Sequence, residues 1–450
     1  MKKVICNSVC RLGLLLLLGM PLVAVAQPAP VPYHMQAYTF HSGLHNADPG
    51  GAPLVAFSDV VRVAEAPWLR LHFGDWDLGK ASYLVITSRE DGAQQRLDAV
   101  RLAQWQSASA FFNGDEVEIE LYVAPGDQGV FFELQEVMVG EKVSGADLPG
   151  DPESICGTKD DRVASTDPAV GRIVPVGCTG WIISNGAFLT AGHCVGASLQ
   201  TLQFNVPPSD ANGTINHPGT EDQYPIEALA DIESSTGFGD DWGVFNAFAN
   251  SNGELASKRQ GAFYRMSRDS NPATVRITGY GVDGPPPGFG NPPPRNADSQ
   301  TEQTDAGPSA GETVGSPDNA FWSYAVDTQG GNSGSPIIVD ASNLTLGIHT
   351  HGGCTSGGGT NNGTSFENDD LEAAIQTNPG ASTVYSDIGH DVVLEDGTIF
   401  RPYNTVLEAV NAAPPGGVVS IVTGFYDGET MEITKPLTIV VPVGGVIIGN

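Results

Sequence analysis

The most constraining feature of this chain is a glycine-rich segment, residues 330–336, which reads Gly-Gly-Asn-Ser-Gly-Ser-Pro. Glycine adopts backbone conformations that are closed to residues with a Cβ. A serine between glycines, here Ser333, can therefore project its hydroxyl while neighbouring N–H groups converge on one point. Such a point stabilises the oxyanion of a tetrahedral intermediate. Because Gly/Ser-rich turns are also common on surfaces, the interpretation depends on finding a base and a carboxylate elsewhere.

Both groups are present upstream. His193 lies in Thr-Ala-Gly-His-Cys, shortly after an apolar run at 181–183, so it is predicted to follow a strand. Asp241 stands before Trp-Gly-Val-Phe, at the mouth of another predicted strand. The order His, Asp, Ser, at intervals of 48 and 92 residues, is one of the orders known for the acyl-transfer triad.

These three blocks together resemble the trypsin/chymotrypsin-like serine proteases over about residues 156–380. The resemblance implies an all-β, two-barrel antiparallel fold. It also implies that His193 is the general base, Asp241 its orienting carboxylate and Ser333 the nucleophile, with the backbone N–H groups of Gly331 and Ser333 as the oxyanion hole. Asp240 is the competing carboxylate. Asp241 is preferred because the family places the carboxylate directly before the strand.

The residue preferred at P1, the position before the scissile bond, is left open between two classes. Asp327 lies six residues before Ser333, where trypsin has the carboxylate that binds Lys or Arg, but Gln329 replaces the cysteine that braces that pocket. His349, in Gly-Ile-His, and Thr328 resemble the residues that receive a Glu side chain in the bacterial glutamyl endopeptidase branch. The resemblance favours Glu, with Lys/Arg as the alternative.

Activation by a new N-terminal amine is not expected. The digestive enzymes of the family have Asp just before the nucleophile, whereas this chain has Asn332, which cannot form the ion pair. Residues 172–174, Arg-Ile-Val, look like an activation site but lie too close to Cys178. They are predicted to form the first strand of the protease.

Composition and the N-terminus indicate the compartment. The net charge of −31, from 21 basic and 52 acidic side chains, excludes nucleic acid and anionic membranes as favoured partners. Residues 1–26 have two lysines, an apolar run at 14–18 and Ala-Val-Ala at 24–26, the pattern of a signal peptide. A secreted protein, extracellular or periplasmic, without a membrane anchor is therefore expected.

Cysteine usage agrees with secretion. Cys6 and Cys10 lie in the predicted signal peptide, which leaves four cysteines. An even number in a secreted chain predicts two disulfides, with three possible connectivities. The family resemblance implies the pairs Cys178–Cys194, around the histidine loop, and Cys156–Cys354, as in lysyl endopeptidases. The sequence has no C-x-x-C pair and no close Cys/His cluster, so it predicts no metal site. No cofactor is implied either.

The remaining chain divides into further units. Residues 27–50 are predicted to be irregular, whereas 54–141 alternate apolar and polar residues and predict a β-sandwich. We interpret 27–141 as a prodomain, which would make the chain a zymogen, or as an accessory domain. Residues 142–155 are a predicted linker.

Downstream of the triad histidine and aspartate, the Pro-rich range 281–308 is predicted to be a long surface loop, and 371–375 a short closing helix. A helix near 403–410 and three strand-like runs in the tail, 386–450, resemble the start of a right-handed parallel β-helix, as in pectate-lyase-like proteins.

These patterns predict a serine endopeptidase, expected to be monomeric, that acts on protein or peptide substrates. The rival hypothesis is a non-catalytic binding protein on a protease scaffold, which the presence of His193, Asp241 and Ser333 disfavours. Polysaccharide lyase activity of the tail is disfavoured as well, because a β-helix needs more stacked coils to bury its core.

Overall fold

The computed structural model describes residues 28–143, 154–227, 232–268, 271–284, 295–316, 318–378, 383–392 and 394–449. The predicted signal peptide and most of the predicted linker lie outside the described residues. Among the helices of the described ranges, none is long and apolar enough to cross a membrane.

The N-terminal unit contains eight strands and one short helix. They are β1 (Tyr33–His41), β2 (Leu54–Arg62), β3 (Trp68–Asp77), β4 (Tyr83–Ser88), β5 (Gln94–Asp98), α1 (Ala99–Gln104), β6 (Phe112–Asn113), β7 (Glu116–Val123) and β8 (Phe131–Gly140). The strands form two antiparallel sheets, ordered β1-β8-β3-β6 and β2-β7-β4-β5. Strand β7 buries every second side chain, as expected for a sheet with one apolar face. Both sheets contribute to one apolar core.

The prediction that residues 27–50 are irregular is wrong for β1. This strand of nine residues pairs antiparallel with β8 at the edge of its sheet. Its side chains are exposed or half-buried along its length, and only Tyr38 and Phe40 are apolar side chains that pack against the core, so the apolar signal for a strand is short. Pairing with β8 determines its conformation.

Fourteen strands with two short helices follow in residues 163–377. The strands are β9 (Val163–Ala164), β10 (Val170–Pro175), β11 (Cys178–Ile182), β12 (Phe188–Thr190), β13 (Leu199–Gln203), β14 (Gln223–Pro225), β15 (Glu233–Gly237), β16 (Asp240–Phe245), β17 (Thr274–Gly279), β18 (Gln303–Ser316), β19 (Asn319–Tyr324), β20 (Pro336–Val339), β21 (Thr345–His351) and β22 (Asn361–Ser365). The helices are α2 (Ala256–Arg259) and α3 (Asp369–Thr377).

These strands form two antiparallel sheets of seven strands each, β14-β13-β10-β11-β12-β16-β15 and β17-β20-β21-β22-β19-β18-β9. In the second sheet β17 also pairs with β18, which closes six strands into a barrel. An apolar core cluster contains residues from both sheets, including Trp181 of β11 and Ile348 of β21. Helix α3 contains the predicted range 371–375.

The predicted surface loop at 281–308 is shorter than expected. Strand β18 begins at Gln303, so the last six residues of that range belong to the barrel, where they pair with β17. Residues 285–294 lie outside the described residues. Strand β18 is rich in Gly, Ser and Thr and has few buried positions, which explains why its composition resembles that of a loop.

The C-terminal unit differs because its strands pair in parallel. It consists of β23 (Thr383–Ser386), α4 (Val406–Ala412), β24 (Val418–Ile421), β25 (Gly424–Tyr426), β26 (Thr438–Val440) and β27 (Val446–Ile448). The sheets are β23-β24-β26 and β25-β27. Since β23 pairs with β24, this unit begins at Thr383, three residues earlier than the predicted start at 386.

Candidate active site

The glycine-rich segment between β19 and β20 packs tightly against its neighbours. Gly331 and Gly334 have φ values of +98° and +93°, in the left-handed region that favours glycine. A Cβ on Gly331 would lie 2.5 Å from the carbonyl oxygen of Tyr280, and one on Gly334 2.1 Å from that of Thr179. Glycine is therefore required at both positions for Ser333 to hold its place between them.

His193 is held by the end of β12 and by a disulfide. The strand ends at Thr190, and Gly192–Cys194 forms a single 3₁₀ turn. Cys194, the next residue, is bonded to Cys178 at the start of β11. The imidazole is thus attached to two neighbouring strands of the first sheet.

Asp241, near the start of β16, contacts His193 through both carboxylate oxygens. Oδ2 lies 2.7 Å from Nδ1 of His193, and Oδ1 accepts the backbone N–H of His193 at 2.9 Å. Asp240 makes other contacts, and its carboxylate accepts hydrogen bonds from Ser234, Thr236 and the indole of Trp242. Asp241, and not Asp240, is therefore the carboxylate that is hydrogen-bonded to the imidazole.

The remaining reactive atoms are buried and unpaired. Within the described residues, neither Oγ of Ser333 nor Nε2 of His193 has a hydrogen-bond partner, and both atoms are inaccessible to solvent. An imidazole whose Nδ1–H donates to a carboxylate presents Nε2 as an acceptor. The arrangement leaves one acceptor nitrogen and one hydroxyl without competing partners.

Three backbone N–H groups of the glycine-rich segment donate to no partner in the described part of the chain, those of Gly330, Gly331 and Ser333. The N–H groups of the residues between and after them do donate, Asn332 to Gln329 and Gly334 to His349. Unpaired N–H groups on alternate residues of a turn can bind an oxyanion.

The carboxylate of Asp327, the candidate specificity residue, accepts hydrogen bonds from the protein's own backbone. Its Oδ1 accepts the N–H of Cys156 at 2.6 Å, and its Oδ2 accepts that of Asp161 at 2.8 Å. Burial raises the pKa of this carboxyl, and Asp305 contributes to the same effect. Asp327 thus fastens the segment 156–161 to the barrel, a role that the sequence did not predict.

Thr328 is engaged in a similar way. Its Oγ1 lies 2.8 Å from Oγ of Ser154 and accepts a hydrogen bond from the amide of Asn361 at 3.0 Å. Ser154 also donates to the carbonyl of Thr328 at 2.6 Å. Sequence reasoning missed Ser154 and Asn361, because the first precedes the motifs and the second lies in a Gly/Asn-rich stretch without a recognisable pattern.

His349, in β21, is fully buried beside the glycine-rich segment. Its backbone N–H donates to Ser335, and its carbonyl accepts from Gly334, both at 2.8 Å. Nδ1 lies 2.7 Å from the hydroxyl of Tyr324, while Nε2 has no partner in the described chain. Burial, with smaller contributions from His351 and His193, lowers the pKa of His349 to about 3. Sequence reasoning did not identify Tyr324.

The structure contains both disulfides, Cys178–Cys194 and Cys156–Cys354. In the described residues one group offers three potential metal ligands, Cys178, Cys194 and His193, within 4.8 Å of one another. The two sulfurs are bonded to each other and cannot act as thiolates, so this group does not fit a metal ion.

Several solved structures resemble part of the chain. A thermostable serine protease from an extremophilic microorganism is 14% identical, over 46% of this chain and 98% of that one, with a TM-score of 0.34. The active form of the Rv3671c protease from M. tuberculosis is 16% identical, over 53% and 92%, with a TM-score of 0.30. Kallikrein-related peptidase 10 is 13% identical, over 48% and 96%, with a TM-score of 0.30.

No curated protein matches the chain. The model of the trypsin family matches residues 163–367, the range that contains β9 to β22 with the six-stranded barrel of a chymotrypsin-like protease fold. Residues 163–367 are therefore a trypsin-family domain, and the protein is a serine endopeptidase.

Proposed function

We propose that the protein hydrolyses peptide bonds through His193, Asp241 and Ser333. The observation that carries this proposal is the pair of contacts from Asp241 to the ring and backbone of His193, at 2.7 and 2.9 Å. These contacts orient Nε2 as the acceptor for the proton of Ser333. The same three groups disfavour a non-catalytic binding protein.

The reaction would proceed in two steps. Oγ of Ser333 forms a bond to the substrate carbonyl carbon as its proton passes to Nε2 of His193, and the N–H groups of Gly331 and Ser333 bind the oxyanion. The imidazolium, stabilised by Asp241, gives that proton to the leaving amine as the peptide bond breaks. Water then attacks the acyl-enzyme by the same route, which regenerates Ser333 and releases the carboxylic acid.

For specificity we propose Glu at P1, bound at His349. The engagement of Asp327 by two backbone N–H groups supports this choice. A carboxylate that is already satisfied is a poor partner for Lys or Arg and repels a substrate carboxylate less. Cleavage after Lys or Arg is the alternative, and it requires Asp327 to release both contacts.

We also propose that the protein is secreted after removal of residues 1–26. Two disulfides in the described residues support an oxidising compartment, because structural disulfides persist in secreted and periplasmic proteins. Of the two roles predicted for residues 27–141, we propose the accessory domain, and we propose that the parallel strands after Thr383 begin a β-helix.

Two single variants and their combination test the catalytic proposal. Ser333→Ala and His193→Ala should each lower kcat on a peptide substrate by roughly 10⁴-fold or more, because the residues act as a unit. The double variant should be scarcely slower than either one. Mass spectrometry of products from a mixed peptide library, with wild-type protein, would report the P1 residue.

Retention of wild-type activity by Ser333→Ala would refute the assignment of the nucleophile. Products that end in Lys or Arg, and are lost on Asp327→Ser, would refute the proposed preference for Glu while leaving the triad intact.

A further inference from the structure

The buried pair Tyr324–His349 contains the histidine that we propose binds the P1 side chain. Tyr324 ends β19 and His349 lies in β21, and both are completely buried. The two strands are separated by β22, where Gly363 pairs with His349. The phenol and the imidazole meet across this intervening strand, and the hydroxyl lies 2.7 Å from Nδ1.

The protonation of this pair follows from its environment. Burial raises the pKa of Tyr324 well above its ordinary value and lowers that of His349 to about 3. The phenol is therefore a neutral O–H, and the imidazole has one donor nitrogen and one acceptor nitrogen. The other titratable groups that act on His349 are His351 and His193, and both disfavour its cationic form.

One arrangement of hydrogens satisfies the pair. Within the described residues the hydroxyl of Tyr324 contacts no group other than Nδ1 of His349. If the phenol donates, Nδ1 is the acceptor and the ring hydrogen lies on Nε2, which has no partner in the described chain. The reverse arrangement would leave two groups buried and unpaired, the phenolic hydrogen and the acceptor nitrogen Nε2, whereas the first leaves only the Nε2 hydrogen, and each unpaired group costs free energy.

We propose that Tyr324 is a positioning residue for specificity, which holds the ring hydrogen of His349 on Nε2 so that this N–H is offered to an acceptor oxygen of the P1 side chain. The inference rests on the proposed preference for Glu and extends it. The backbone of His349 bonds to Gly334 and Ser335, so the direction of this N–H is fixed relative to Ser333. A site that binds the P1 side chain through one fixed N–H selects side chains that end in a hydrogen-bond acceptor over those that do not.

Tyr324→Phe tests the proposal because it removes one oxygen and keeps the ring. Without the phenol the imidazole hydrogen can occupy either nitrogen. We expect KM for a P1-Glu peptide to rise about tenfold, while kcat/KM for a P1-Ala peptide stays within about twofold. Tyr224→Phe is the matched control, a fully buried tyrosine of β14 whose hydroxyl contacts Asn250, and it should leave selectivity unchanged.

Nitrogen NMR of the histidine ring gives a readout independent of activity. In the wild-type protein, Nε2 of His349 should show the chemical shift of a protonated ring nitrogen, and Nδ1 that of an unprotonated one. In Tyr324→Phe both nitrogens should show intermediate shifts, because the ring hydrogen can occupy either of them. A protonated Nδ1 in the wild type would overturn the inference. The inference would also be overturned if Tyr324→Phe kept the wild-type selectivity for Glu while His349→Val abolished it. That result would leave the proposed preference for Glu intact. A wild type without Glu preference would refute both.

A separate observation concerns the N-terminal strap, residues 29–31. The N–H of Ala29 donates to the carbonyl of Gly177 at 2.8 Å, and the N–H of Val31 donates to that of Pro175 at 3.1 Å. The amide of Gln300 donates to the carbonyl of Ala29. Ala29 and Val31 are almost completely buried, so the strap is held on both sides.

The groups that bind the strap on each side are connected by short hydrogen-bonded paths to the glycine-rich segment that contains Ser333. Gly177 lies two residues before Thr179, whose N–H donates to the carbonyl of Ser333 at 2.9 Å. Two residues of chain span at most about 7 Å, so the strap lies close to the nucleophile. On the other side, the N–H of Gln300 donates to Gly281, and the next residue along, Val282, donates to Gly330.

We infer that the strap occupies the part of the cleft that takes the leaving-group half of a substrate. His349 and Thr328 approach the catalytic segment from the side of the six-stranded barrel, whereas Gly177 approaches it from the turn before β11. A peptide that places its P1 side chain at His349 and crosses Ser333 therefore meets the strap with the residues after its scissile bond. The strap binds as an extended backbone and competes with those residues.

Substrates with and without leaving-group residues separate this role from a structural one. Ala29→Pro removes the N–H to Gly177, and Gln300→Met removes the amide to Ala29. Each should raise kcat/KM about threefold to tenfold for peptides with three residues after the scissile bond, and should leave anilide substrates unchanged. Equal changes on both substrates, or no change in variants that melt like the wild type, would overturn the inference.

Discussion

Asp241 and Asp327 are both buried carboxylates, and their partners give them different roles. Asp241 accepts the ring and backbone N–H groups of His193, whereas Asp327 accepts backbone N–H groups of Cys156 and Asp161. Both match family positions in the sequence. Spacing identifies a position, but only the partner reveals whether the charge serves chemistry or holds a segment.

A single buried acid, Glu302, leads to a prediction about pH. Its Oε1 accepts the N–H of Asp167, its Oε2 lies 3.2 Å from the hydroxyl of Tyr280, and burial raises its pKa from 4.5 to about 7. Below pH 4.5 the folded and unfolded chains both hold this proton. As the pH rises towards 7 the unfolded chain loses it first, so the contribution to stability declines by on the order of 3 kcal/mol.

Glu302→Gln removes this titration while keeping an oxygen for Asp167. We expect the variant to melt several degrees above the wild type at pH 8, with the difference shrinking at pH 5. Calorimetry at both values measures it. An equal shift at the two pH values would show that Glu302 does not titrate between them.

Among the elements, the segment 154–161 makes contacts with the protease domain that the sequence did not predict. It precedes the first strand of that domain, yet it contacts Asp327 and Thr328, and Cys156 joins it to Cys354 across 198 residues. A disulfide that closes so long a loop removes much of the entropy of the unfolded chain, about 4–5 kcal/mol in the loop-entropy treatment. The segment is thus attached to the six-stranded barrel, and this includes residues 154–155, which lie in the predicted linker.

At the scale of the whole molecule, the N-terminal unit docks on the protease domain through paired amide contacts. Gln223 accepts the N–H and donates to the carbonyl of Phe111, at 3.0 and 2.8 Å. Asn113 does the same with the backbone of His217, at 2.9 Å in both directions. The ring of His217 also stacks on Phe111, with centroids 4.6 Å apart. Such buried contacts favour an accessory domain that stays bound over a prodomain that leaves.

This docking predicts the fate of a chain cut in residues 144–153. With a protease site inserted there, the two pieces should co-elute in size-exclusion chromatography. The double variant Asn113→Ala/Gln223→Ala should separate them, because each change leaves two backbone groups of the other unit without partners, at about 1–3 kcal/mol per group. Gln128→Ala is the matched control, since that amide donates to Ala47 within the N-terminal unit. Separation of the unmodified pieces would contradict the accessory role.

The sequence by itself determined the motifs whose chemistry is local. Positive φ at Gly331 and Gly334 is a property of glycine, and the alternation in β7 follows from the two-residue period of a strand. The placement of Ser333, the strand before His193 and the strand after Asp241 could therefore be predicted. The disulfide pairs came from the family resemblance, because four cysteines alone allow three connectivities.

Only the tertiary structure decided which distant groups meet. Strand β1 forms because it pairs with β8, and the start of β18 is a strand because it closes the barrel against β17. Asp327 holds the segment 156–161, and Tyr324 contacts His349, through hydrogen bonds between residues that are far apart in the chain. Such contacts depend on how whole sheets pack, which leaves no periodic signal in the residues that make them.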